Sequence, residues 1–245
     1  MIAQLPRELR AILMRHIRAQ GVDLAHCQLA VVASLLNCNP VFQLLDRGST
    51  WQELAEASGL DWANEKDLAK PVVKTATYAV QFGSAGRAVK KAFEEEDWLR
   101  SYPLFMAVPA ISALKQATDK DQRVIQTKGE VTDLIGKTWR FEGWDSFGKK
   151  MKPTRRWARS VQAAKAQSAE IAMLVQPILD AVRRGDIELV FWLHDGLYVR
   201  GLKEDWFHRL KEAVGIEILR LGIRGTWLEL GDPVGEEDQQ EDTGE

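Results

Sequence analysis

Cysteine is scarce. Cys27 and Cys38 are the whole complement of a 245-residue chain, too few for a disulfide framework and matching no zinc-ligand spacing. A reducing cytoplasm is the expected compartment. No run of about 18 apolar residues occurs, so no membrane span is expected. The first twenty residues, MIAQLPRELRAILMRHIRAQ, are charged throughout and hold no signal-peptide core. Also missing are an internal repeat, a heptad array, a Walker phosphate loop and a dinucleotide glycine fingerprint. Only four histidines exist, and none sits beside a plausible nucleophile, so no Ser/His/Asp order stands out.

What remains is an ordinary globular composition, 45% hydrophobic and 28% charged. Charge is unevenly spread. Seven carboxylates and no cation fall in the tail, residues 232–245, and the formal charge of −2 becomes +5 once they are set aside. A mildly basic body with an acidic, non-aromatic tail suggests a nucleic-acid binder with a disordered end.

The most informative stretch is Glu188 to Arg200, ELVFWLHDGLYVR. Leu189 to Leu193 reads as a strand buried on both faces, and Leu197 to Val199 as its return. His194-Asp195-Gly196 forms the tight turn between them. Such a tip is either a plain surface turn or a rigid mount for a metal-binding carboxylate. Upstream, an opening helix is expected from Leu5 to Ile17, then a short strand ending at Asp23. An amphipathic helix through Leu29, Val32, Ala33 and Leu36 follows, stopping near Asn37 to Pro40. Asp23 is then either a firmly held carboxylate or a helix N-cap.

Residues 41–66 read as helix and loop, with Trp51 and Leu54 in the core. From Asp67 to Phe93, Lys70, Lys74 and Tyr78 recur every fourth residue and share one helix face, with Gln81 and Phe82 a turn on. Two lysines and aromatics on one face suit a triphosphate and a stacked base, or a basic surface helix with a packed tyrosine. Pro71 fits a first helical turn best, which puts Lys70 near the cap. Two helices broken around Ser101-Tyr102-Pro103 come next. Two β-like runs follow, Glu130–Asp133 and Thr138–Phe141, joined by Ile135-Gly136-Lys137. Then comes a basic loop of Lys149, Lys150, Lys152, Arg155 and Arg156, interleaved with Trp144 and Trp157. It suits a phosphate backbone or plain solvation. A helix from Ala158 to Arg184, kinked at Pro177, puts Arg159, Ala163 and Gln167 on one face. A helix from Lys203 to Arg220 and a strand from Thr226 to Leu230 close the chain.

Two carboxylates from separate strands can hold a pair of Mg²⁺ ions about 4 Å apart. With this in view, the chain resembles the palm and fingers region of family A DNA polymerases, the DNA polymerase I group, over roughly residues 10–231. DLAHCQLAVVA, from Asp23, is similar to their first palm motif. KTATYAVQFG, from Lys74, is similar to their fingers helix, and LHDG, from Leu193, to their palm hairpin. Order and separations also fit, 51 residues from Asp23 to Lys74 and 121 from there to Asp195. Departures are Gln28 in place of a sugar-gating Glu, Lys70 in place of Arg, Ala163 for Asn, Ser168 for Gly, and Gly196 for an acidic residue.

The resemblance implies an α+β fold, an antiparallel palm sheet packed on helices with a helical fingers subdomain. Its division would be 1–38 palm, 39–120 fingers, 121–231 palm and 232–245 acidic tail. It implies a template-directed nucleotidyltransferase, a DNA-directed DNA polymerase. Asp23 and Asp195 would bind two Mg²⁺ (or Mn²⁺), and Lys74 with Lys70 the triphosphate. Gln28, Tyr78 and Phe82 would line the nucleotide site. Arg159, Gln167 and His194, with Lys149, Lys150, Lys152, Arg155 and Arg156, would meet primer-template. About twenty residues precede the first motif, too few for a thumb, so a protein partner is expected to supply a thumb or clamp. A primase-like initiator, or a polymerase-derived binding subunit inactive without its partner, are the alternatives.

Overall fold

The structure, a computed structural model, describes residues 13–14, 16–84, 86–144, 149, 151–192 and 196–230. The expected opening helix before Leu13, Lys150, the tip residues His194 and Asp195, and the tail 232–245 lie outside the described residues. The chain divides into two compact units, one built from residues up to Ala25, Met173–Leu221 and the segment from Thr226, the other from His26–Ala172 and Gly222–Gly225. These boundaries fall at Ala25 and Ala172, whereas the motif-based division expects 38 and 120.

The first unit holds a four-stranded antiparallel sheet in the order β4-β5-β1-β6, formed by β1 (Gln20–Leu24), β4 (Ile187–Trp192), β5 (Gly196–Gly201) and β6 (Leu228–Leu230). Period-two alternation selects the core face: Val22, Leu24, Leu197, Val199 and Leu228 are buried while Asp23 is exposed. Helix α9 (Trp206–Arg220) buries Trp206, Leu210, Val214 and Ile218, one stripe at a spacing of four. It begins three residues after the expected Lys203, with Asp205 in a non-helical conformation before its first residue. Buried Asp186 accepts from Lys203 Nζ at 2.8 Å and Arg184 Nε at 2.9 Å, with Arg209 Nη1 at 3.4 Å. These hydrogen bonds and charges hold the Asp186 carboxyl down to about 2. The apolar run Leu189–Trp192 is not buried on both faces, as expected from composition. β4 is an edge strand, half-buried over Leu189–Trp192, with a bulge between Leu189 and Phe191. Central positions went instead to β5 and β1.

The second unit is helical. It contains α1 (Cys27–Leu36), α2 (Asn39–Leu45), α3 (Thr50–Ala57), α4 (Trp62–Gln81), α5 (Gly86–Glu94), α6 (Ser101–Ala107) and α7 (Pro109–Lys128), the hairpin β2 (Glu130–Thr132) and β3 (Thr138–Arg140), and the first part of α8 (Arg155–Arg183). Helix α1 is not amphipathic: Cys27, Leu29, Ala30, Val31, Val32 and Ala33 are all buried, which is the pattern of a central helix. Both cysteines are buried. Leu54 is core and Trp51 is half-buried. Phe93 packs against Phe105 and Tyr102 with ring centroids 5.4 and 6.4 Å away.

Three expected boundaries move. Helix α4 starts at Trp62 because the Asp61 carboxylate caps it, accepting from the Asn64 N–H at 3.2 Å. A kink at Glu65 divides α4, and Pro71 lies beyond the first turn of either segment, so Lys70 is inside the helix rather than at its cap. Ser101-Tyr102-Pro103 opens α6 instead of breaking a helix, with Pro103 in the first turn, where a missing N–H costs least. Arg155 and Arg156 belong to the first turn of α8 and not to a loop, because Thr154 Oγ1 accepts from the Trp157 N–H at 3.1 Å. Pro177 lies inside α8 without ending it. The hairpin appears where expected. Asp133 fixes its turn by accepting from the Ile135 and Lys137 N–H groups and from Trp139 Nε1, at 3.2, 2.9 and 3.0 Å.

Candidate active site

In the first unit Asp23 stands next to last in β1, on its exposed face, so the N-cap alternative fails; the residue preceding α1 is His26. Asp23 Oδ1 accepts from its neighbour's Leu24 N–H at 2.7 Å, which orients the carboxylate. The register sets Asp23 opposite Gly196 on β5 and opposite Glu229 on β6. Asp195 precedes Gly196 by one peptide bond. Contact with Gly196 is close. A Cβ there would lie 3.0 Å from the Val22 carbonyl oxygen and 3.6 Å from Asp23 Oδ1, so glycine is what lets β5 approach β1 at this point.

Glu229 is a neighbour of Asp23 that the sequence pattern did not single out. Cross-strand partners share a face, and like charges directly opposite repel. Two exposed carboxylates set side by side favour a divalent cation between or beside them. Carboxylate oxygens are the hard donors Mg²⁺ takes, so the donor set fits the expected metal. Among the described residues no group of three metal-ligating side chains occurs. The only sequence signal for Glu229 is its place in the last strand, Leu228-Glu229-Leu230, where alternation turns a lone acid away from the apolar face.

In the second unit the face on α4 is as expected for Lys70, Lys74 and Tyr78. Both lysines are exposed and Tyr78 is half-buried. Lys74 Nζ lies 5.7 Å from the Tyr78 ring centroid. Trp51 of α3 stands edge-on to Tyr78 at 6.3 Å, and His26 lies 5.6 Å from Trp51. Burial, then the charges of Lys74 and Lys70, push the His26 imidazole below its ordinary value. Gln28 is half-buried two residues after His26.

Phe82 ends α4 and is half-buried, but Gln81 is not on the ligand face: it is fully buried. Its carbonyl accepts from Thr118 Oγ1 at 3.3 Å. Gln122 of α7 donates to the Phe82 carbonyl at 3.3 Å and to Gln162 Oε1 of α8 at 2.9 Å. Gly83 has φ +64°, and a Cβ on it would fall 1.9 Å from Gln122 Nε2. The glycine closing the fingers-like motif is therefore required both by backbone conformation and by this amide.

The expected nucleic-acid contacts differ in exposure. Lys149, Lys152 and Arg156 are exposed, and Arg155 pairs with Asp119 at 2.8 Å. Arg159 is half-buried, with its Nε lacking a hydrogen-bond partner among the described residues. Gln167 is exposed.

No protein-family model matches the chain, and no curated protein matches it in sequence. Its fold is that of a polymerase domain. It is similar to the POL domain of Pol1 from M. smegmatis, solved in complex with DNA primer-template and dNTP, with a TM-score of 0.65 at 10% identity. The match covers 87% of this chain and 39% of that one, so the chain spans about two fifths of the neighbour's length. Helices with a four-stranded antiparallel sheet make the fold α+β, as expected. Among the described residues no helix is long and apolar enough to cross a membrane.

Proposed function

We propose that this chain performs template-directed nucleotidyl transfer, extending a 3′-hydroxyl with nucleoside triphosphates, as a DNA polymerase of the family A type. The observation that carries the reading is the register of β1 on β5. It sets Asp23 against Gly196, the residue that follows Asp195 in the sequence, which supports one shared site for the two carboxylates 172 residues apart. The polymerase-like fold supports it, as do the primer-template and dNTP bound to the structural neighbour.

In this reading Asp23 and Asp195 hold two Mg²⁺ or Mn²⁺ ions, with Glu229 at hand beside Asp23. Bound there, the ions supply Lewis-acid activation of the attacking hydroxyl and charge neutralisation at the leaving pyrophosphate. The chain's own residues do the rest. Lys74 and Lys70 bind and align the triphosphate, and their charge follows the negative charge that develops on it. Tyr78 and Phe82 offer apolar surface to the incoming nucleotide. Gln28, an uncharged amide, contacts the sugar and discriminates between ribose and deoxyribose less sharply than a carboxylate would. Arg159, Gln167 and His194 contact primer terminus and template, and Lys149, Lys150, Lys152, Arg155 and Arg156 neutralise backbone phosphates. Residues 1–38 and 121–231 serve as palm and 39–120 as fingers.

Primer extension tests this. Purified protein, Mg²⁺ or Mn²⁺ and single dNTPs or NTPs are supplied on four templates differing only at the first unpaired base. Incorporation that tracks the template base is the expected result. No incorporation under any condition, or incorporation indifferent to the template base, would sink the proposal.

A further inference from the structure

Three helices of the second unit bring a histidine and two lysines to one place. His26 precedes α1, Trp51 of α3 lies 5.6 Å from its ring, Tyr78 of α4 lies 6.3 Å beyond, and Lys74 Nζ reaches to 5.7 Å from the Tyr78 ring. Lys70 is one turn before Lys74 on the same exposed face. Of the helices packed on α1, α4 brings Lys70, Lys74 and Tyr78 toward His26. The charged groups Asp121 of α7 and Lys165 of α8 face its opposite end, beside Val32, Leu35 and Leu36.

We propose that His26, Lys70 and Lys74 form one anion-binding group, and that a polyphosphate bound there enters together with a proton taken up by the His26 ring. The inference rests on the nucleotidyl-transfer reading of the two lysines and adds a residue and a linkage to it.

The physics is a reversal of sign. Without ligand, burial and two ammonium groups oppose an imidazolium, and His26 is neutral at pH 7. A triphosphate on Lys70 and Lys74 cancels their field and puts anionic oxygens in its place. Two of the three opposing influences are then gone, and the second ring N–H of a protonated His26 can donate a charge-assisted hydrogen bond. Trp51 lies within the distance at which an aromatic ring stabilises a cation. Because the bound state holds more protons than the free state, affinity must rise as pH falls. The rise approaches about tenfold per pH unit for one full proton, between the free and bound titration midpoints.

The test uses inorganic tripolyphosphate and the full chain, without metal. Calorimetric titration in buffers of different ionisation enthalpy at pH 7 counts the protons taken up on binding. Uptake is expected in the wild type and its loss in His26→Gln. From about pH 8.5 to 6.5 the wild-type affinity should rise several-fold relative to that of the variant, a ratio in which the ligand's own ionisation cancels. NMR titration of the wild-type His26 ring, with and without tripolyphosphate, gives a second reading that needs no variant and should show a raised midpoint. Binding with no proton uptake, uptake unchanged in His26→Gln, or an unmoved His26 midpoint overturns the inference and leaves the lysine assignment standing. No binding, or binding unaffected by Lys74→Ala, overturns both.

Discussion

Replacing Gly196 by alanine probes the closest approach in the sheet. The new Cβ would sit 3.0 Å from the Val22 carbonyl oxygen and 3.6 Å from Asp23 Oδ1. An unstrained carbon–oxygen contact needs about 3.3–3.6 Å, so β5 and β1 must part by roughly 0.3–0.6 Å. Val22 belongs to an inner strand paired on both edges, and its backbone has little room to yield. Overpacking of this kind costs about 1–3 kcal/mol. Alanine recovers about 0.4–1 kcal/mol through the unfolded chain, since the position needs no left-handed backbone. A net loss of about 0.5–2 kcal/mol is expected in equilibrium urea unfolding. Gly215→Ala on α9, where a Cβ meets nothing within 4 Å, should instead gain about 0.5–1 kcal/mol. Activity should fall further than stability. A 1 Å misplacement of catalytic groups can cost about a hundredfold, so half that displacement of Asp23 against the following hairpin should cost roughly tenfold. A Gly196→Ala protein as stable and as active as the wild type would refute the reasoning about the β1–β5 contact.

Other consequences are independent of that contact. Phe93→Ala empties a site that is 0% exposed between Phe105 and Tyr102 and should cost about 3–5 kcal/mol in urea unfolding; a loss under about 1 kcal/mol would contradict its place in the core. Asp186, held to about 2 by Lys203, Arg184 and Arg209 against an ordinary 3.8, contributes stability that is complete above the ordinary value and lost as pH falls through about 2. Asp186→Asn should therefore flatten the acid limb of the stability profile below pH 4, and an unchanged limb would count against it. Lys74→Ala should raise the nucleotide KM and lower kcat while primer-template affinity stays within about twofold; the reverse pattern would make α4 a nucleic-acid face.

Local features were legible in the sequence, and non-local ones were not. Asp23 at a strand end, the 130–141 hairpin and the Lys70-Lys74-Tyr78 face follow from alternation, turn residues and helical spacing, which act over a few residues. Pro71 misled because an N-cap ten residues earlier, Asp61, outweighs the preference of proline for a first turn. Thr154 likewise turned Arg155 and Arg156 from loop into helix. The apolarity of β4 suggested a central strand, but strand order depends on pairings across the chain, and β1 from the N-terminal part took that place. The Gln122 bridge to Phe82 and Gln162, the cations around Asp186, the approach of His26 to Lys74 and the pairing of Asp23 with Glu229 each join residues far apart in sequence or buried against expectation. No periodicity encodes them. A lone acid in an otherwise apolar last strand was the one available hint of Glu229.

The most direct measurement is primer extension by Asp23→Asn and Asp195→Asn proteins beside the wild type, with primer-template affinity measured on the same preparations. Removing one anionic ligand from a metal pair takes away both positioning and charge stabilisation while leaving the nucleic-acid contacts in place. The account predicts that each variant binds primer-template like the wild type and extends it at less than about a tenth of its rate, a barrier increase of at least about 1.4 kcal/mol. Extension by either variant at more than about a tenth of the wild-type rate would contradict it.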